Sequence, residues 1–212
     1  MQRAIAYFLL LTGLSTISAK AALVSGPMIS HIDMREAKIW IQVDAPSLVR
    51  IAYSVAGDSD SLHWTPPVET NNSQANTAVL TLDKVEPGLS YSYQVELNGE
   101  IITSPAKFTS PANYHGRTPP PDFKIAVGGA HYVIEEGFEP PYQILGDGYG
   151  IFSAITETQP NLMIWAGNTA HLRNSDWTTQ SGYLKRYAMA RSIPELQPLL
   201  QSIPHYATWG GQ

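Results

Sequence analysis

The sequence contains no cysteine. No disulfide can form and no thiolate can ligate a metal, so stability has to come from core packing. Basic residues are also scarce: 13 Lys and Arg stand against 18 Asp and Glu, for a formal net charge of −5. They do not cluster, which leaves no electrostatic signature for nucleic acid or anionic lipid. No apolar run reaches the roughly 20 residues that span a bilayer. What remains suits a folded chain of one large or two small domains: 212 residues, 43% hydrophobic and 15% charged.

The first 21 residues stand apart. Arg3 gives a positive start, Ala4 to Leu14 is a short apolar run, and Ala19-Lys20-Ala21 supplies a small-x-small cleavage pattern. This is the layout of a secretory signal peptide, so the protein is expected to be exported, periplasmic or secreted, with no transmembrane segment after signal removal.

Residues 22–112 read as all-β. Lys38–Val43, Val49–Val55, Ala78–Leu82 and Tyr91–Leu97 alternate apolar with polar, which buries one face and wets the other. Asn98-Gly99, before Ile101–Thr103, predicts a two-residue hairpin turn, because both residues tolerate positive φ. Leu80-x-Leu82, Pro87-Gly88 and Tyr91-x-Tyr93 resemble the tyrosine-corner region of fibronectin type III sandwiches. Residues 113–121, ending in three prolines, predict a stiff extended connector.

In residues 122–212 the periodicity changes. Phe123–Val127, Asn161–Ala166 and Pro204–Trp209 are apolar strands, each followed by glycine. Between them lie helical patterns at 150–159, at Ser181–Ala190 and from Pro194 through Leu200. This order predicts a parallel sheet with its ligand-bearing loops at the carboxyl ends of the strands. The expected fold class is therefore α+β multidomain: an immunoglobulin- or fibronectin-like β-sandwich, then an α/β part. With three strands only, the α/β part is expected to expose a sheet edge and to be marginally stable.

Asp147–Ile155 followed by Gln159–Trp165, then His171–Trp177, Leu184–Tyr187 and Arg191–Leu200, resemble the PhoD-like alkaline phosphatase/phosphodiesterase family. The resemblance implies a truncated metallophosphatase domain after the sandwich, with phosphate esters as the substrate class. It also implies calcium and iron, or another transition metal, held on the strand-end loops. In the family those loops read Gly-Ser-Cys, Gly-Asp-Asn and Trp-Asp-Asp-His-Asp. Here they read Gly128-Gly129-Ala130, Gly167-Asn168-Thr169 and Trp209-Gly210-Gly211-Gln212. The thiolate, the bridging carboxylate and the acids and histidine of the third loop are replaced by neutral residues, and the chain ends inside that loop. Gly129, Ala130, Asn168, Thr169, Gly210, Gly211 and Gln212 are thus degenerate ligand positions, and no cofactor is expected.

Substitute ligands have to be sought elsewhere. His131, His171 and His205 lie near the three strands, a chemically possible zinc set, although His205 precedes its strand and is expected at the end opposite to the other two. His131 and His171 read more simply as polar loop residues. Glu135-Glu136 with Asp147 forms a weak calcium candidate, more simply a solvated loop. Arg173 and Asp176, with His131 and His171, are placed at a pocket rim, a structural ion pair being an equal reading of the first two. Three functions follow: a PhoD-like protein without its catalytic centre, an exported binding module using the sandwich, or a weak metalloenzyme with other ligands.

Overall fold

Alternation along the first strands determines what faces inward. The structure, a computed structural model, describes residues 21–129, 131–135 and 148–210. Its strands run β1 (Leu23–Ile32), β2 (Ala37–Val43), β3 (Leu48–Val55), β4 (His63–Trp64), β5 (Val68–Glu69), β6 (Thr77–Leu82), β7 (Ser90–Leu97), β8 (Glu100–Ile101) and β9 (Ala106–Thr109). β1-β2-β6 form one antiparallel sheet; β4-β3-β7-β8, with β5 and β9 pairing β3 and β7, form the other. Ile39, Ile41, Ile51, Tyr53, Leu80, Tyr91, Tyr93 and Val95 from both sheets share one core.

The hairpin turn falls where expected, with φ of 51° at Asn98 and 90° at Gly99. At the predicted corner the Glu86 N–H donates to the Tyr91 hydroxyl over 2.7 Å. The strand predicted for Ile101–Thr103 is shorter, covering Glu100–Ile101 only. The connector is not extended throughout: the N–H groups of Arg117 and Thr118 both donate to the Tyr114 carbonyl, closing a turn before the prolines.

β1 has no counterpart in the sequence pattern. Gly26-Pro27 interrupts it, and its pairing with β2 shifts register three times. Gly26 has a φ of 90°, and a Cβ there would lie 2.9 Å from the Trp40 carbonyl oxygen, so only glycine fits.

The second half contributes β10 (Ile125–Gly128), α1 (Gly150–Glu157), β11 (Leu162–Ala166), α2 (Gln180–Arg191), α3 (Gln197–Ser202) and β12 (His205–Thr208). The three strands are parallel in the order β10-β11-β12. Met163 and Trp165 project from one face into a second core with Phe152, Leu196, Leu199 and Leu200. On the other face Ile125 and Val127 are 44% and 66% exposed, and Tyr206 meets His31, its hydroxyl 3.1 Å from Nδ1.

The halves are joined by specific bonds. The Tyr93 hydroxyl donates to the Gln201 carbonyl over 2.9 Å, and the Ser25 hydroxyl to the Arg191 carbonyl over 2.8 Å. The Gly26 N–H donates to Gln197 Oε1 over 3.1 Å, and the Arg191 guanidinium lies over the Trp40 ring. No helix among the described residues is long and apolar enough to cross a membrane.

Candidate functional site

β11 and β12 end side by side, and the chain beyond β11 turns sharply. Gly167 does so at a φ of 87° and Asn168 at 47°. The loops after β11 and β12 then touch and line a cleft of about 140 Å³ at the carboxyl ends of the strands, the position where open α/β sheets bind ligands. Asn168, Thr169, His171, Trp177, Trp209 and Gly210 are among its walls. Trp209 is 88% exposed and stands at the cleft without covering neighbours. Tyr183 and Tyr187 close another side, their rings 4.8 Å apart and the Tyr183 hydroxyl donating to Tyr187 over 3.2 Å. Burial and that neighbour push the Tyr187 phenol up to about 12. Four aromatic rings and neutral polar groups therefore dominate the cleft.

The two loops interlock. A Cβ at Gly210 would lie 2.2 Å from Asn168 Oδ1 and 2.8 Å from the Asn168 nitrogen. A Cβ at Gly167 would lie 3.0 Å from the Gly210 Cα. The space that a side chain at 210 would use is filled by Asn168. Among the described residues donors for a divalent pair do not converge here: Asn168 offers a neutral carbonyl and Thr169 a hydroxyl, and no carboxylate of theirs lines the cleft. Among the described residues no three His, Asp or Glu side chains are placed to share an ion. The residues present therefore do not fit the calcium and iron of the resemblance. Gly128 and Gly129 lie outside the lining, and Ala130, Gly211 and Gln212 lie outside the described residues.

The three histidines are not brought together. His171 is exposed on the cleft. His205 begins β12 with its side chain on the buried face, where Trp165 Nε1 donates to its Nδ1 over 3.1 Å. Its Nε2 therefore carries the proton and donates to the Leu199 carbonyl over 3.0 Å. Both nitrogens are committed, and burial pulls its pKa down to about 4. His131 is not a plain loop residue: it is half buried against Phe152 and Trp165, and its Nε2 donates to the Ala190 carbonyl over 3.1 Å. The expectation that His205 sits at the far end from His131 is corrected. Trp165 lies between them, 5.7 Å from one ring and 6.1 Å from the other, and both line a second cavity.

The charged candidates form a structural network and not a rim. Arg173 donates to both oxygens of Asp176, at 3.0 and 3.1 Å, and to Glu135 over 2.6 Å. Lys185 also reaches Glu135. The Arg173 bonds hold the Asp176 carboxyl below the usual range; Lys185, then Arg173, do the same for Glu135. Asp176 is 5% exposed and lines neither cavity. A calcium site at Glu135 is thus pre-empted by two cations; Glu136 and Asp147 lie outside the described residues. Sequence reasoning passed over Arg186, which is 1% exposed, donates through Nε to the His171 carbonyl and lies over the Tyr132 ring. It also passed over Arg191, whose signal was an arginine in a last helical turn with no acid three or four residues back.

Residues 20–115 match a family described as a domain of unknown function, DUF7800. No curated protein matches the chain. Among solved structures, PhoD is similar over 86% of this chain, with a TM-score of 0.67 and 14% identity. The chain spans 37% of the length of that PhoD, and at such identity the likeness is one of fold. The sensor domain of the anti-sigma factor RsgI4 from Pseudobacteroides cellulosolvens is similar over 46% of this chain and 100% of its own, with a TM-score of 0.36 and 16% identity.

Proposed function

We propose that this chain is an exported PhoD-like protein that keeps the strand-end framework of a phosphoesterase without its metal centre, and that it does not turn over phosphate esters. The interlock of Gly210 with Asn168 carries this reading. In the resemblance, position 210 is an acid that helps hold a metal; here a side chain at 210 meets Asn168 at 2.2 Å. The two loops have closed on each other where two carboxylates would have to flank an ion. Hydrolysis of a phosphate ester by this route needs a cation to offset the charge gathering on the phosphoryl oxygens and to supply a nucleophile at neutral pH. Neutral amide, hydroxyl and aromatic groups supply neither. On this reading residues 22–112 are a sandwich scaffold and residues 122–212 a partial metallophosphatase domain.

The test is a phosphodiesterase and phosphomonoesterase assay on the full chain, with calcium combined in turn with iron, manganese and zinc. The expected result is no metal-dependent turnover above the protein-free rate. Metal-dependent turnover that disappears in His171→Ala, the exposed histidine of the cleft, would overturn the proposal.

A further inference from the structure

A second cavity lies between α2, α3, β12 and β1 of the sandwich, and it contains an arginine with no acidic partner among the described residues. Arg191 lines it together with His131. The faces of the guanidinium are occupied, since its Cζ lies 5.1 Å from the Trp40 ring centre and 5.1 Å from that of Tyr187. Its edge is not: no side-chain hydrogen bond or ion pair among the described residues engages it, and it is outside the charged network of Arg173. Stacking satisfies the π face of a guanidinium but none of its five N–H donors, which lie in the plane. His131 supplies an unmet group, because its buried Nδ1 has no partner among the described residues. The Arg191 side chain is partly withdrawn from water, its N–H edge keeping some contact with solvent, and this partial burial lowers its pKa. The rest of the wall is mostly apolar, including Met28, Trp165, Leu196 and Leu200. The space measures about 70 Å³ for the centres of waters, against roughly 10–15 Å³ for one.

We infer that this cavity binds a small carboxylate with an apolar tail. The carboxylate takes the guanidinium edge, where two parallel N–H donors match its two oxygens. The tail lies against Met28, Leu196 and Leu200. An inorganic oxyanion satisfies the charge but leaves the apolar wall wet, so shape favours the organic acid. Thr169 and Tyr187 line both this cavity and the strand-end cleft, but the inference does not depend on whether that cleft holds a metal.

The experiment is a ligand-detected NMR titration of the full chain with acetate, butyrate, butyramide and inorganic phosphate. Butyrate is expected to bind at least about tenfold more tightly than its neutral isostere butyramide, as a charge-assisted bidentate pair requires. Each methylene from acetate to butyrate is expected to add about fourfold. Equal binding of butyrate and butyramide would overturn the inference, as would phosphate binding as tightly as butyrate, or no butyrate binding by chain shown to be folded by its melting curve. These comparisons use the unaltered protein. Arg191→Gln, where it folds, is expected to bring butyrate down to the butyramide level; full retention would also overturn the inference.

Discussion

The hydroxyl of Tyr93 is the most direct link between the two cores, and its removal tests whether they act as one. Tyr93 sits on β7 at 1% exposure, and its O–H donates 2.9 Å to the Gln201 carbonyl on α3. Burial pushes its pKa well above the usual tyrosine range, so it remains a donor wherever the fold survives. Tyr93→Phe keeps the ring against Phe108 and deletes one oxygen, leaving the Gln201 carbonyl without that donor. An unmet buried group costs about 1–3 kcal/mol. For a protein of this size each kcal/mol lowers Tm by roughly 2–4 °C, so about 2 kcal/mol gives about 4–8 °C. The assay is scanning calorimetry of wild type and variant. A single transition displaced by that amount is expected, with hydrogen exchange quickened at amides of residues 91–97 and 205–208 alike. Two separate transitions with only one displaced, or a shift below about 1 °C, would refute the coupling and restore the expectation of an independent, marginal second half.

Gly210→Ala is expected to cost about 1–3 kcal/mol, the range for overpacking, and to cost less in an Asn168→Gly background. Rescue should be partial, because the Asn168 backbone nitrogen still lies 2.8 Å from the new Cβ; thermal melts of the four proteins measure it. For His205 the folded pKa of about 4 lies below the unfolded value of about 6.5. The unfolded chain therefore binds the extra proton first, and stability falls as pH drops from about 6.5 towards 4, by up to roughly 3 kcal/mol. Urea titrations across that range should show the loss, and His205→Gln should flatten it; an equal slope in the variant would contradict the assignment. Val127, 66% exposed on the open side of the three-stranded sheet, is expected to drive concentration-dependent association. Val127→Lys should suppress that association in sedimentation velocity while changing stability by no more than about 0.5 kcal/mol.

Much of the sandwich was legible because its signals are local. β2, β3, β6 and β7 alternate cleanly, and Asn98-Gly99 announces its own turn. β1 was not, because Gly26-Pro27 breaks its period and its place is fixed by long-range contacts: the close approach to Trp40 and the bond to Gln197. The three parallel strands read correctly as short apolar runs bounded by glycine. What those glycines do was only half legible. Gly167 does mark a sharp turn, but that Asn168 fills the space over Gly210 follows from two segments meeting across 41 intervening positions of chain. His205 was misjudged because the side of a strand on which a histidine falls depends on register, and β12 places it opposite Met163 on the buried face; His131, on no strand, is placed by distant contacts with Phe152, Trp165 and Ala190. The cavity around Arg191 was illegible for the same reason: its walls come from β1, β11, β12, α2 and the segment from Pro194 through α3, and no sequence window contains them.

The proposal that the metal centre is absent is tested most directly by the metal content of the folded chain. The purified protein, incubated with calcium and iron or zinc and then freed of unbound ion by gel filtration, is measured by plasma emission spectrometry. The expected result is a metal content indistinguishable from that of a metal-free carrier protein treated in parallel. Stoichiometric retention of a transition metal together with calcium, lost in Asn168→Ala, would contradict it.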